Sequence, residues 1–347
     1  MNTSNKIVIG ISIGDLNGIG SEIILNTFAD PRMFDFCTPV VFASYKAMQH
    51  LKKHFNAPTH IQQIDDLEHF RENKLNVIEV WEEDFNFNFG VEDKKAGALA
   101  IASLRAATAA LKEGKIDALL TAPINKSNIQ SEDFSFPGHT DYLAQELEGS
   151  PLMFMISDTL RVGLLTDHVA VKDIAKTITP TLIKSKIITI NDSLKKDFGV
   201  RKPKIAVLGI NPHSGDNGVI GNEDGTVLKP TLQEMNDKGI LVYGPYAADS
   251  FFGSNNYQQF DAIVASYHDQ GLIPFKTLTF GNGVNYTAGL NKVRTSPDHG
   301  TAYEIAGQGK ADVSSFKAAL FAAIQIVNHR EEYNELTQDV LKKRKKI

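Results

Sequence analysis

Apolar positions along the chain follow two alternating rhythms. Short runs rich in β-branched residues read as strands: Ile7-Val8-Ile9, Val40 to Phe42, Ile116 to Leu120, Ile205 to Leu208 and Ala262 to Ala265. Other stretches carry apolar residues at three- and four-residue steps and read as helices. One is expected from Ser21 to Phe28 and another running through Leu51. The clearest covers residues 92–113, where Leu99, Ala100, Ser103, Leu104, Ala107 and Leu111 share a face and Gly114 follows as a C-terminal cap. Met153 to Ile156 and Val162 to Leu165 predict a hairpin around Ser157-Asp158-Thr159. Phe316 to Val327, apolar nearly all round, predicts a core helix. The alternation predicts an α/β fold with a mostly parallel sheet covered by helices.

Composition narrows this picture. A chain of 347 residues with 42% hydrophobic and 22% charged residues is that of a globular protein, with room for one large α/β domain or two ordinary ones. No apolar run reaches the roughly 18 residues of a membrane span. Met1 to Gly10 lacks the cationic start and cleavage site of a signal peptide, so a cytoplasmic location is expected. A net charge of -5 gives no general attraction to nucleic acid or anionic membrane, although local cations can still dominate a cleft. The basic run Lys342-Lys343-Arg344-Lys345-Lys346 reads as a solvated helix end. Cys37 is the single cysteine, which excludes an intrachain disulfide and a thiolate zinc site. Any metal must be bound by His, Asp or Glu.

Reactive residues cluster after predicted strands, where open α/β sheets bind ligands. Thr166-Asp167-His168 follows Val162 to Leu165, Asn211-Pro212-His213 follows Ile205 to Leu208, and His268-Asp269-Gln270-Gly271 follows Ala262 to Ala265. Three imidazoles suit a borderline divalent metal with positions left open for substrate oxygen. In a chain with 10 His they are also readable as unrelated loop residues. A second group is cationic: Lys276, Arg294, and His139-Thr140 at the expected start of a helix after Pro137-Gly138. A helix N-terminus and an arginine suit a phosphate, although each alone reads first as a solvated residue or an ordinary cap. The turn Gly14-Asp15-Leu16-Asn17-Gly18-Ile19-Gly20 lacks the third small residue of a dinucleotide fingerprint and the Lys-Ser/Thr of a P-loop. It reads first as a tight strand-to-helix turn, with a ligand role left open, and no cofactor-binding residues are assigned.

Taken in order, these loops carry a resemblance. Gly14-Asp15, Gly18-Ile19-Gly20-Ser21-Glu22, Thr121-Ala122-Pro123-Ile124-Asn125-Lys126, Phe136-Pro137-Gly138-His139-Thr140, Asn211-Pro212-His213, His268-Asp269-Gln270-Gly271, Gly283-Val284-Asn285 and Arg294 through Ala302 follow one another as in the 4-hydroxythreonine-4-phosphate dehydrogenase family of vitamin B6 biosynthesis. The chain resembles that family from about Ile7 to Phe316. The resemblance implies two α/β/α domains with a cleft between them, similar to isocitrate and isopropylmalate dehydrogenases, with 1–140 plus 290–347 forming the first and 141–289 the second. It implies oxidation of 4-phosphohydroxy-L-threonine at C3 with NAD or NADP, followed by decarboxylation to 3-amino-2-oxopropyl phosphate. It further implies a homodimer with the active site at the interface, and a divalent ion (Zn, Mg or Co) held by His168, His213 and His268. His139, Thr140, Lys276, Asn285 and Arg294 match the family's substrate-binding positions.

Lys276 is the first candidate for the general base and Asp269 the second. The chain departs from the family at Leu16, Asn17 and Ser21, which replace prolines and an alanine, and at Asp167, which stands where a threonine is usual. A carboxylate beside His168 is expected to orient its imidazole or raise metal affinity. The competing functions are a sister dehydrogenase of phospho-threonate or phospho-erythronate, a hydrolytic metalloenzyme, and a non-catalytic phosphate-binding module.

Overall fold

The computed structural model describes residues 6–338. The basic run 342–346 lies outside them. In chain order the regular elements begin with β1 (Val8–Ser12), α1 (Gly20–Thr27), β2 (Thr38–Ala43), α2 (Tyr45–His54), β3 (Ile61–Ile64), β4 (Leu75–Glu79), α3 (Lys94–Lys112) and β5 (Ala118–Thr121). Then come α4 (His139–Glu146), β6 (Gly149–Ile156), β7 (Arg161–Leu164), α5 (Ile174–Thr177), α6 (Pro180–Lys196), β8 (Ile205–Leu208), α7 (Lys229–Asp237) and β9 (Val242–Tyr246). The last are α8 (Ala248–Gly253), β10 (Ala262–Ala265), α9 (His268–Thr279), β11 (Val284–Leu290), β12 (Val293–Pro297) and α10 (Ser314–Gln338).

Two compact units emerge. Unit 1 comprises Met1–Val162 and Leu272–Ile324, and unit 2 comprises Gly163–Gly271 and Gln325–Ile347. The changeovers therefore fall after Val162 and Gly271, where edges at 140/141 and 289/290 were expected. Strand pairing explains the shift. β11 runs antiparallel to both β6 and β12, with Tyr286 opposite Phe154 and Thr295, and β12 pairs with β5, so strands from both expected domains belong to one sheet. The residues from Gln325 onward, expected in the first domain, group with unit 2.

In unit 1 the strand order is β3-β4-β2-β1-β5-β12-β11-β6. The pairs up to β5·β12 are parallel, and β11 is antiparallel to both its neighbours. Helices cover the sheet on both faces, which is why Ile9, Gly10, Ile11 and Ser12 are buried in succession. α3 lies on this sheet through Leu104, Ala107 and Leu111, all fully buried, and each such leucine contributes roughly 2 kcal/mol of burial. Asp93 caps its start by accepting from the Lys95 and Ala96 amides. Gly114 follows its end at φ +72°, where a side chain would be strained.

In unit 2, β8 lies between β10 and β9, parallel to both. The expected hairpin closes where the Ser157 amide donates to the Leu160 carbonyl at 2.9 Å. The expected core helix is longer than its apolar segment: α10 runs on past Val327 to Gln338, with Arg330 still buried and residues 331–338 exposed.

Candidate active site

The first loop is built as a turn. Gly14 takes φ +73° and Asp15, fully buried, returns its carboxylate to the loop, accepting from the Asn17 amide at 2.8 Å, Asn128 Nδ2 at 2.7 Å and the Tyr303 hydroxyl at 2.8 Å. Leu16 and Asn17, which replace the family's usual residues, are both fully buried. The loop's polar groups are thus occupied within the fold, in keeping with the structural role.

Two of the three strand-end histidines of unit 2 come together. Beyond β7, the Leu165 amide donates to the Ala265 carbonyl, and Thr166 donates to the Ser266 carbonyl through both its amide and, at 2.7 Å, its hydroxyl. His168 and His268 each lie two residues past this join, and their ring centroids are 5.9 Å apart. Gln270 extends the bracing, accepting from the Ser266 amide and donating to the Gly209 carbonyl, both at 2.7 Å. His213 stands apart from the pair. Its approach is held by the buried Asp224, which accepts from the Ile210 and Asn211 amides and from the Asn211 side chain. His213 then opens a run through Asn217 in which every residue has positive φ. Among the described residues, no group of three or more His, Cys, Asp and Glu side chains is assembled to hold a metal ion.

Asp269 Oδ1 lies 2.7 Å from His268 Nδ1, which leaves Nε2 for a ligand. Paired imidazoles, one of them oriented by a carboxylate, are a donor chemistry that fits a borderline divalent cation. Asp167 makes no ring-orienting contact with His168 among those of the described residues. Its Oδ1 accepts from the His168 backbone amide at 2.9 Å, a local turn contact that leaves the ring alone.

Unit 1 gathers the cationic residues. The register places Arg294 opposite Leu119 on β5, and Asn285 opposite Ser296 across β11·β12. With the two-residue period of strands, Asn285, Thr287, Arg294, Ser296 and Thr121 share one face of the sheet. Arg294 is fully enclosed, with three N–H groups donated to the hydroxyls of Thr121 and Thr287. His139 and Thr140 open α4, as expected, with Gly138 as N-cap. Burial, reinforced by the positive Arg294 and Lys126, holds the His139 imidazole neutral, well below its usual range. His139 Nε2 and Asn285 Oδ1 are both buried without a hydrogen-bond partner in the structure. Two orphan polar atoms and an enclosed cation form an environment suited to a polar anionic ligand.

Lys276, near the end of α9, is exposed, and its Nζ donates to the Asp298 carbonyl at 3.0 Å. Asp298 is itself tied to Ser315 through its amide and its carboxylate. Thr121, Thr287, Asp224 and Gln270 were not among the expected site residues. Thr121 and Gln270 lay in motifs already singled out, and Thr287 and Asp224 did not.

Comparison with known proteins places the chain. Residues 35–323 match the family described as pyridoxal phosphate biosynthetic protein PdxA. The 4-hydroxythreonine-4-phosphate dehydrogenase of Bacteroides thetaiotaomicron is 46% identical over 341 residues, covering 98% of this chain and 94% of that protein. The protein of the same name from Sulfurihydrogenibium sp. is 39% identical, covering 93% of this chain and 99% of its own. The crystal structure of 4-hydroxythreonine-4-phosphate dehydrogenase from Klebsiella pneumoniae aligns with a TM-score of 0.81 at 33% identity, over 94% of this chain and 99% of that one. The chain belongs to the PdxA family of pyridoxal phosphate biosynthetic proteins.

Proposed function

We propose that the protein oxidises 4-phosphohydroxy-L-threonine at C3 with NAD or NADP, giving a 3-keto acid that loses carbon dioxide to leave 3-amino-2-oxopropyl phosphate. The observation that carries this reading is the enclosed Arg294, a cation whose partners among the described residues are all neutral, beside the orphaned His139 Nε2 and Asn285 Oδ1. The names of the relatives supply the substrate and the pathway.

In this reading Arg294, His139 and Thr140 grip the phosphate, with the neutral His139 accepting or donating a hydrogen bond without adding charge. Asn285 orients the substrate from the same strand face. Lys276, held at the Asp298 carbonyl, is the first candidate to take up the C3 hydroxyl proton. Asp269 is the second candidate for that proton, but its contact with His268 Nδ1 suits it better to fixing the imidazole. His168, His213 and His268 are the proposed donors to a divalent ion. A bound ion would supply Lewis-acid polarisation of the hydroxyl and ketone oxygens, and a bound nicotinamide would supply the hydride acceptor. Ile273, Leu278 and Phe280, exposed large apolar residues in and just after α9, support self-association as a homodimer.

The deciding experiment supplies a divalent metal, NAD or NADP and one phosphorylated compound at a time, and follows reduced cofactor by absorbance. Turnover of 4-phosphohydroxy-L-threonine well above that of phospho-threonate and phospho-erythronate is the expected result. The reverse order would reassign the chain to a four-carbon phospho-acid, and phosphate binding without any turnover would reduce it to a binding module.

A further inference from the structure

The partners of Arg294 are unusual for a buried cation. Its side chain is sealed within unit 1, yet among the described residues both hydrogen-bonding partners are uncharged hydroxyls and no carboxylate pairs with it. Thr121 Oγ1 accepts from Nε at 3.1 Å and Nη2 at 2.6 Å, and Thr287 Oγ1 accepts from Nη1 at 3.1 Å. Both threonines are fully buried. The contacts are set by the sheet. β12 lies between β5 and β11, so one threonine reaches the guanidinium from each neighbouring strand.

A guanidinium has five N–H donors in a rigid plane, and three of them are used here. Burying a charge without a counter-charge is strongly unfavourable, and the ordinary remedy is an aspartate or glutamate. A carboxylate at position 121 or 287 would satisfy the same N–H groups and cancel the charge. Hydroxyls satisfy them and leave the charge in place. The unpaired His139 Nε2 and Asn285 Oδ1 are independent signs that a polar ligand completes this region.

We infer that Thr121 and Thr287 are positioning residues, whose hydroxyls fix the plane of the Arg294 guanidinium without neutralising it and so reserve its two remaining N–H groups for the substrate phosphate. This rests on the reading of Arg294 as the phosphate grip. It adds that affinity for the anion is governed by two residues that need not touch it.

The test measures binding of inorganic phosphate by calorimetry, alongside KM and kcat for 4-phosphohydroxy-L-threonine, in Thr121→Val, Thr287→Val, Thr121→Ser, Thr121→Asp and Arg294→Gln. Removing a hydrogen bond to a charged group predicts about a tenfold or greater loss of phosphate affinity in Thr121→Val and Thr287→Val. KM should rise in parallel while kcat changes by less than about twofold, with Thr121→Ser restoring both constants. Thr121→Asp should abolish phosphate binding while leaving the protein at least as heat-stable as the parent, because the new carboxylate neutralises Arg294. Wild-type phosphate affinity in both valine variants, or in Thr121→Asp, would overturn the inference. If Thr121→Val does not fold, Thr287→Val and Thr121→Asp decide the matter. Loss of binding in Arg294→Gln with none in the threonine variants keeps Arg294 as the grip and discards the cradle. Wild-type binding in Arg294→Gln discards the grip itself.

Discussion

Asp269 Oδ1 stands 2.7 Å from Nδ1 of His268, while the carboxylate of Asp167 beside His168 is bound to a backbone amide. The two acidic neighbours are therefore unequal. Asp269→Ala should weaken zinc binding about tenfold or more, since a lost orienting partner typically costs that much. Asp167→Asn should leave it within about twofold, because the contact it disturbs does not involve the ring. Competition against a chromophoric chelator measures both. Equal losses in the two variants would contradict this division.

Lys276→Met removes the proposed proton acceptor and leaves the Asp298–Ser315 contacts in place. Proton transfer by a placed side chain is worth about a hundredfold or more, so kcat should fall by at least that factor with KM little changed. The pH–rate profile should also lose the limb that reports this group. A variant that keeps the parent profile moves the role to another residue.

The buried His139 imidazole ties stability to pH, and the sign follows from its depressed pKa. Below the ordinary value of 6.5 the unfolded chain binds a proton that the folded chain refuses, so this residue's contribution to stability is present above pH 6.5 and declines as pH falls. His139→Gln should flatten that part of the curve. Urea midpoints measured from pH 7.5 down to about 5 should converge for the two proteins if the assignment is right.

Asp197 and Arg330 form a buried ion pair in unit 2, with Oδ1 and Nε 2.7 Å apart. His329 adds a contact between its Nδ1 and the Asp197 carbonyl at 2.9 Å. Removing one member takes the paired counter-charge from the other, so Asp197→Ala should cost about 3 kcal/mol in chemical denaturation. The double replacement Asp197→Leu/Arg330→Met should cost less than the single one.

The legible parts of this fold were those whose residues obey one simple rule along the chain. β8 and β10 were expected at their observed bounds because their residues are continuously apolar, as strands covered on both faces are. α3 was clear from its periodicity. β12 was not expected, since Val293-Arg294-Thr295-Ser296-Pro297 looks like a polar loop. It is fully buried because its polar groups are satisfied from outside the strand, Thr295 by the Ala319 carbonyl and Arg294 by two threonines. α6 carried ordinary signals, a Thr179 cap, Pro180 in the first turn and Ile183, Ile187, Ile190 and Leu194 on one face, but had not been singled out. The histidines were placed correctly after their strands, whereas which of them would meet depended on strand order and loop conformation. Thr287 was invisible for the same reason, since nothing in a linear pattern says which strand lies beside Arg294.

That strand order also bears on how the protein is made. β12 occupies an interior position, between β5 and β11, although it is the last strand among the described residues. Until residues 293–297 have been synthesised, the sheet of unit 1 carries two unpaired inner edges at β5 and β11, the kind of surface that recruits stray strands. The strand that closes this gap is the one bearing Arg294. A nascent chain therefore acquires the proposed anion-binding charge in the same event that closes these two edges, and a truncated product lacking that strand has neither.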